Sequence, residues 1–241
     1  MKKFFILVFI SISFFGFSQK TKQDQAVWFA YIGQYKASKK WGYQIEAQFR
    51  MDNDLGKSIQ NLYRVGGIYF LPNKKSLAGG FSLVKTYNKT ADDYLNENRY
   101  WEQFQLNHSW KQNEMVHRFR LEQRFVEMLD VDNTLLREME FQNRFRYLNR
   151  NLFHLTNLKS GKEEIYLVLQ NEVFLNTADN KVNSKFVDQN RLLIGLGINY
   201  QKSIRFELGY MNHYITSNSP TNLMRHTISL SLIQNLDLFK E

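Results

Sequence analysis

Across residues 115–125 a charged side chain stands at alternate positions, Arg118, Arg120, Glu122 and Arg124, with Met115, Phe119, Leu121 and Phe125 between them. Residues 136–147 repeat the pattern with Glu138, Glu140, Arg144 and Arg146 against Met139, Phe141, Phe145 and Tyr147. Consecutive side chains point to opposite faces only in an extended strand, so a period of two specifies a strand and excludes a helix. Each segment therefore has one apolar face and one charged face, and each face needs a suitable solvent.

The same alternation marks eleven candidate strands: residues 27–35, 41–50, 59–71, 77–87, 99–110, 115–125, 136–147, 165–175, 186–200, 203–214 and 223–238. Between them, residues 72–75 and 111–114 read as short turns. Residues 88–98 and 176–185 read as polar loops, and residues 149–164 as a long turn or a short extra strand. If the strands close into a barrel of the bacterial single-chain kind, which usually has an even number, one segment is misread or one strand missed. The expected count is therefore ten to twelve.

At the N-terminus Met1-Lys2-Lys3 precedes an apolar run over residues 4–17 and then Ser18-Gln19. A basic start, a short apolar stretch and small residues Gly16 and Ser18 at the break describe an export signal over residues 1–18. The run is shorter than the ~20 residues a spanning helix needs. Residues 19–241 are then one exported domain. Lys2 and Lys3 supply two of the +9 formal charges, so the exported domain remains cationic. Cysteine is absent, which excludes disulfides, thiolate metal sites and a cysteine nucleophile. No nucleic-acid-binding module is visible. Pro72 and Pro220 are the only prolines, both at turns, so strand interiors keep their hydrogen-bond donors.

Alternation alone fits either a soluble β fold with its apolar face inside or a membrane barrel with its apolar face outside. Two features favour the membrane. Turns at residues 36–40, 72–75, 111–114 and 201–202 fall at one end, and longer loops near Asn88, Asp130, Thr177 and Ser217 at the other, the asymmetry of an outer-membrane barrel. Trp41, Tyr43, Tyr69, Trp110, Tyr147 and Tyr200 gather beside the short turns, and Tyr87, Tyr100, Phe186 and Tyr214 toward the loops. Two such belts suit two membrane interfaces. An arginine facing lipid at the midplane costs ~2–4 kcal/mol, so the arginine rows must face inward. The predicted fold is a single antiparallel transmembrane β-barrel with an Arg/Glu-rich lumen.

Several stretches carry a resemblance: Trp28 on the first strand, Glu46-Ala47-Gln48-Phe49-Arg50, the strand from His117 to Phe125, and Asn171-Glu172-Val173-Phe174. Asp188-Gln189-Asn190-Arg191 followed by Gly195-Leu196-Gly197, and Glu207-Leu208-Gly209-Tyr210-Met211-Asn212, complete the set. In this order they resemble the bacterial family called domain of unknown function 2490. The resemblance implies an outer-membrane barrel and transfers no activity, cofactor or catalytic residue.

Searching the residues for chemistry gives little. His108, His117, His154, His213 and His226 have no metal-ligand spacing. A lipid hydrolase would want a histidine and a serine on one strand face, but His226 and Ser229 differ in parity. The candidate site is the inner wall: Arg118, Arg120, Glu122, Arg124, Glu138, Glu140, Arg144, Arg146, Glu172, Arg191, Arg205 and Glu207, with Arg124 expected to reach Glu138 or Glu140 across the hairpin. Every register opposes one like-charged pair, so a third strand should join through Glu172 or Glu207. A charged, largely filled lumen with a structural or interaction role is the first expectation. A small anion-preferring pore is the alternative, and a lipid-modifying hydrolase the second. The expected partner is outer-membrane lipid; no cofactor, catalytic residue, metal ligand or nucleic acid is expected, and the sequence specifies no protein partner.

Overall fold

The computed structural model describes residues 20–130, 135–158, 163–177, 182–201 and 203–239. The export signal expected at residues 1–18 lies outside the described residues. Eleven strands follow in order: β1 (Lys20–Lys36), β2 (Trp41–Asp52), β3 (Ser58–Leu71), β4 (Lys75–Asn88), β5 (Asp93–Trp110) and β6 (Asn113–Leu129), then β7 (Leu135–Asn157), β8 (Glu163–Thr177), β9 (Val187–Tyr200), β10 (Ile204–Ile215) and β11 (Thr221–Asp237). Each pairs antiparallel with its sequence neighbour, and β1 closes on β11 into one barrel. An up-and-down chain reverses at every turn, so an odd set of strands must close with a parallel pair. Lys20 accordingly lies opposite Thr221 and Lys36 opposite Asp237. The even-number rule fails for these strands because the seam is parallel along all 17 residues of β1.

Two expected loops are strand. Residues 93–98 belong to β5, with Asp93 opposite Asn88 and Tyr94 opposite Tyr87. Their polarity reflects a charged lumen face at Glu97 and Arg99 and a rim beyond the apolar band. β7 runs on to Asn157, a 23-residue strand that absorbs most of residues 149–164. The connections at one end now span residues 37–40, 72–74, 111–112, 158–162 and 201–203; at the other they span 53–57, 89–92, 130–134, 178–186 and 216–220. The end-to-end difference survives chiefly in residues 178–186. The barrel thus has a short-turn end and a long-loop end.

The wall is inverted relative to a water-soluble barrel. Ile194, Leu196, Phe206, Leu208 and Ile228 are exposed on the outside, whereas Arg64, Arg120, Arg144, Arg191 and Glu172 are buried inside. An apolar exterior around a polar interior is the arrangement of a transmembrane barrel. The shortest strands have 12 residues, enough for the ~9–11 that cross a bilayer. Aromatics pair along the rims: Trp41 with Tyr69 at 4.8 Å and Tyr35 with Tyr43 at 5.0 Å at the short-turn end, and Tyr87 with Tyr94 at 5.5 Å at the other.

Glycine makes room for the inward aromatics. A Cβ on Gly66 would stand 2.5 Å from the Trp101 ring, and one on Gly80 would stand 2.1 Å from the Val65 carbonyl and 2.9 Å from that ring. Trp101 can cross into the lumen because β3 and β4 are bare where it passes. Gly197 does the same for Tyr166, whose ring lies 2.3 Å from the position of a Cβ there.

If the apolar face meets lipid, Ile194→Arg should lower stability in vesicles by ~2–4 kcal/mol, measured by urea unfolding. Unchanged stability would place that face in water.

Candidate functional site

The pairing of β6 with β7 sets Glu122 opposite Arg144, Arg120 opposite Arg146, and Arg124 opposite Gln142. One like-charged pair is therefore opposed, Arg120 and Arg146. Carboxylates on β6 and β8 take up Arg146, while Arg120 turns to the Gln103 amide. Glu122 has no solvent contact. Its Oε2 accepts from Arg144 Nη2 at 2.6 Å and Nε at 3.1 Å, and its Oε1 accepts from Arg146 Nη1 at 2.6 Å. Arg64 Nη2 stands 3.7 Å from the same Oε1. One carboxylate thus faces three guanidinium groups.

Glu172 on β8 is the third-strand partner. Its Oε1 accepts from Arg146 Nη2 and Arg118 Nη2, each at 2.7 Å, and its Oε2 lies 3.9 Å from Arg191 Nη1. Arg64 also pairs with Glu46 and donates to Ser82 Oγ at 3.0 Å. Arg144 reaches across to Asp188 at 2.8 Å. Removing either partner of a buried pair leaves the other charge uncompensated, a loss of ~3–5 kcal/mol.

Aromatic rings support these charges. Phe174 lies 4.4 Å from the guanidinium carbons of both Arg146 and Arg191, and Trp101 lies 4.9 Å from that of Arg120. Trp28 takes Arg50 at 3.8 Å and Arg191 at 5.0 Å. A ring face attracts a cation but cannot neutralise it. Sequence reasoning passed over these rings, yet the signal was there: Trp101 shares parity with Arg99 and Gln103, and Phe174 with Glu172.

Each expected site residue can now be placed. Arg118, Arg144, Arg146, Glu122, Glu172 and Arg191 meet in the central cluster, with Arg120 beside it donating to Gln103 at 2.6 Å. Arg124 does not reach Glu138 or Glu140. It pairs with Glu97 on β5 and donates to Gln142 at 2.6 Å. Glu138 is exposed at the long-loop rim, outside the cluster, and Glu140 is half-buried near it. The hairpin outruns the lumen there, so Glu138 meets solvent. Arg205 and Glu207 sit toward the short-turn end: Arg205 pairs with Glu114 at 3.1 Å, and Glu207 with Arg150 and the Tyr166 hydroxyl. The sequence pattern does not place Glu97 or Asp188 among the lumen charges: the first falls in an expected loop. The second is out of phase with Arg191, beside an irregularity in the β8–β9 pairing.

His226 faces outward, with the Tyr210 hydroxyl 2.5 Å from Nδ1 and Gln23 Oε1 2.8 Å from Nε2, while Ser229 is buried on the lumen side. The two do not form a catalytic pair. His117 Nδ1 likewise stands 2.9 Å from a tyrosine hydroxyl, that of Tyr147.

Two cavities flank the cluster, about 340 Å³ toward the long-loop end and about 250 Å³ toward the short-turn end. Gln48, Arg64, Arg146 and Arg191 border both. They form a septum across the barrel, held on one side by Glu46 and on the other by Glu122 and Glu172.

The family described as protein of unknown function (DUF2490) matches residues 25–224. The chain belongs to that family. All of the central cluster lies within the matched DUF2490 span. A solved structure of the NanC porin in a rhombohedral crystal form is similar at 12% identity and a TM-score of 0.49, covering 83% of this chain and 93% of the porin chain. No curated protein matches this DUF2490 chain.

Glu122→Gln should lower the stability of the refolded DUF2490 barrel by ~3–5 kcal/mol, whereas Glu138→Gln at the exposed rim should change it by no more than ~0.5 kcal/mol. Urea titration in vesicles measures both; equal effects would remove Glu122 from the centre of the cluster.

Proposed function

We propose that this chain is an outer-membrane β-barrel of a Gram-negative bacterium, exported by the signal at residues 1–18, with a lumen held shut by ion pairs. The septum carries this reading. Arg64 and Arg146 stand between the two chambers and are tied to Glu46 on β2, Glu122 on β6 and Glu172 on β8. Small barrels fill their interiors with side chains, and ion pairs that skip a strand, Arg118 on β6 with Glu172 on β8 and Arg144 on β7 with Asp188 on β9, brace the wall as well as filling it. Outer-membrane lipid is the partner of the apolar face. The long-loop end faces outward, and the role is structural or interactive rather than one of free passage.

One observation favours a second reading, an anion-preferring pore. The inner wall is richer in arginine than in carboxylate, so any path that opened through the septum would select anions. Planar-bilayer recordings of the folded wild-type protein decide between them. The closed lumen predicts no steady conductance. Steady anion-selective steps, changed in preference by Arg120→Glu, would overturn it and promote the pore.

A further inference from the structure

Charge in the long-loop chamber is not balanced by the chain. Its described lining includes eight arginines and a single carboxylate, Glu97. Glu97 is already engaged, accepting from Arg99 Nη2 at 2.9 Å and from Arg124 Nη2 at 3.0 Å. Arg64 pairs with Glu46, Arg144 and Arg146 direct their N–H groups to Glu122, Glu172 and Asp188, and Arg225 pairs with Asp24 at 2.9 Å. Two cations remain without an adequate counter-charge.

Arg50 has no carboxylate partner among the described residues. It donates to Gln60 and, at 2.9 Å, to Gln48, both neutral amides, and its Nε is buried with no acceptor. Arg191 is nearly as bare. Glu172 stands at 3.9 Å, and the closer contacts are His213 at 3.2 Å and Gln189 Oε1 at 2.9 Å. Both guanidinium groups rest on Trp28, Arg50 at 3.8 Å and Arg191 at 5.0 Å. Two like charges gathered at one ring, their hydrogens received by neutral amide oxygens and the His213 ring and by no carboxylate within hydrogen-bond reach, make a site short of negative charge.

Guanidinium forks match the paired oxygens of a carboxylate, phosphate or sulfate, and such charge-assisted bonds are the strong ones. The chamber has room. About 340 Å³ is several times the ~30 Å³ share of one water and lies in the ~300–1,000 Å³ range of small-ligand sites. We propose that the long-loop chamber binds a small oxyanion through Arg50 and Arg191. The anion supplies the counter-charge that the strands do not, and Gln48, Gln60 and Gln189 hold the two forks apart and oriented. Binding requires the chamber but no passage through the septum.

Calorimetric titration of the folded, detergent-solubilised mature chain with inorganic phosphate, and separately with citrate, tests this in a buffer low in chloride. The expected result is saturable binding of at least one of the two, weakened roughly tenfold or more by Arg50→Gln and by Arg191→Gln and unchanged by Arg205→Gln at the opposite end. Gln60→Glu guards against loss of folding in the arginine variants. It places a carboxylate beside Arg50, so it should raise thermal stability while abolishing or sharply weakening anion binding. Absence of saturable binding by wild type, or binding that survives Gln60→Glu intact, would overturn the proposal. The titration reads no current, so its outcome is separate from whether the lumen conducts.

Discussion

A carboxylate without solvent contact must find all of its counter-charge inside the protein, and Glu122 is in that position. Desolvating it and the surrounding guanidinium groups is costly, and only close, multiple hydrogen bonds return the cost. Arg144 and Arg146 supply three of these at 3.1 Å or less, from the strand next door. Arg64 adds charge from β3, across the lumen. Because Arg118 on β6 also bonds Glu172 on β8, the cluster ties together strands that never meet in the sheet. The barrel's interior is in this sense cross-linked by charge.

That arrangement is the inverse of a water-soluble barrel. A chain with an apolar core would have no reason to gather so many guanidinium groups around one another, since hydrophobic burial would do more for stability. Here the apolar side chains are committed to the exterior, leaving polar groups to fill the lumen. Trp28, Trp101 and Phe174 are the compromise. They bring packing volume into a charged space and present their faces to arginine, and Gly66 and Gly80 clear the way for Trp101.

Much of this was legible in the sequence because a strand's period of two separates faces cleanly. The parity of Arg118 through Arg124 and of Arg144 and Arg146 identified the lumen side, and the like-charged opposition of Arg120 and Arg146 correctly demanded a third strand. Partners were harder to read. Which carboxylate reaches Arg124 depends on strand register and on curvature around the lumen, and Glu97 comes from a stretch whose polarity resembled a loop. Glu138 had the right parity but lies past the end of the lumen, where facing inward no longer means being buried. Depth along a strand is set by the barrel's shear, which no single segment encodes.

The most direct test of the central claim is a double-mutant cycle between Glu122→Gln and Arg144→Gln, read by urea unfolding in lipid vesicles. If Glu122 holds the cluster together, the two losses will be strongly non-additive, with a favourable coupling toward the upper part of the ~0.5–3 kcal/mol range seen for contacting residues. Losses that simply add would mean that the two side chains are solvated independently, and that the lumen is not closed by the pair.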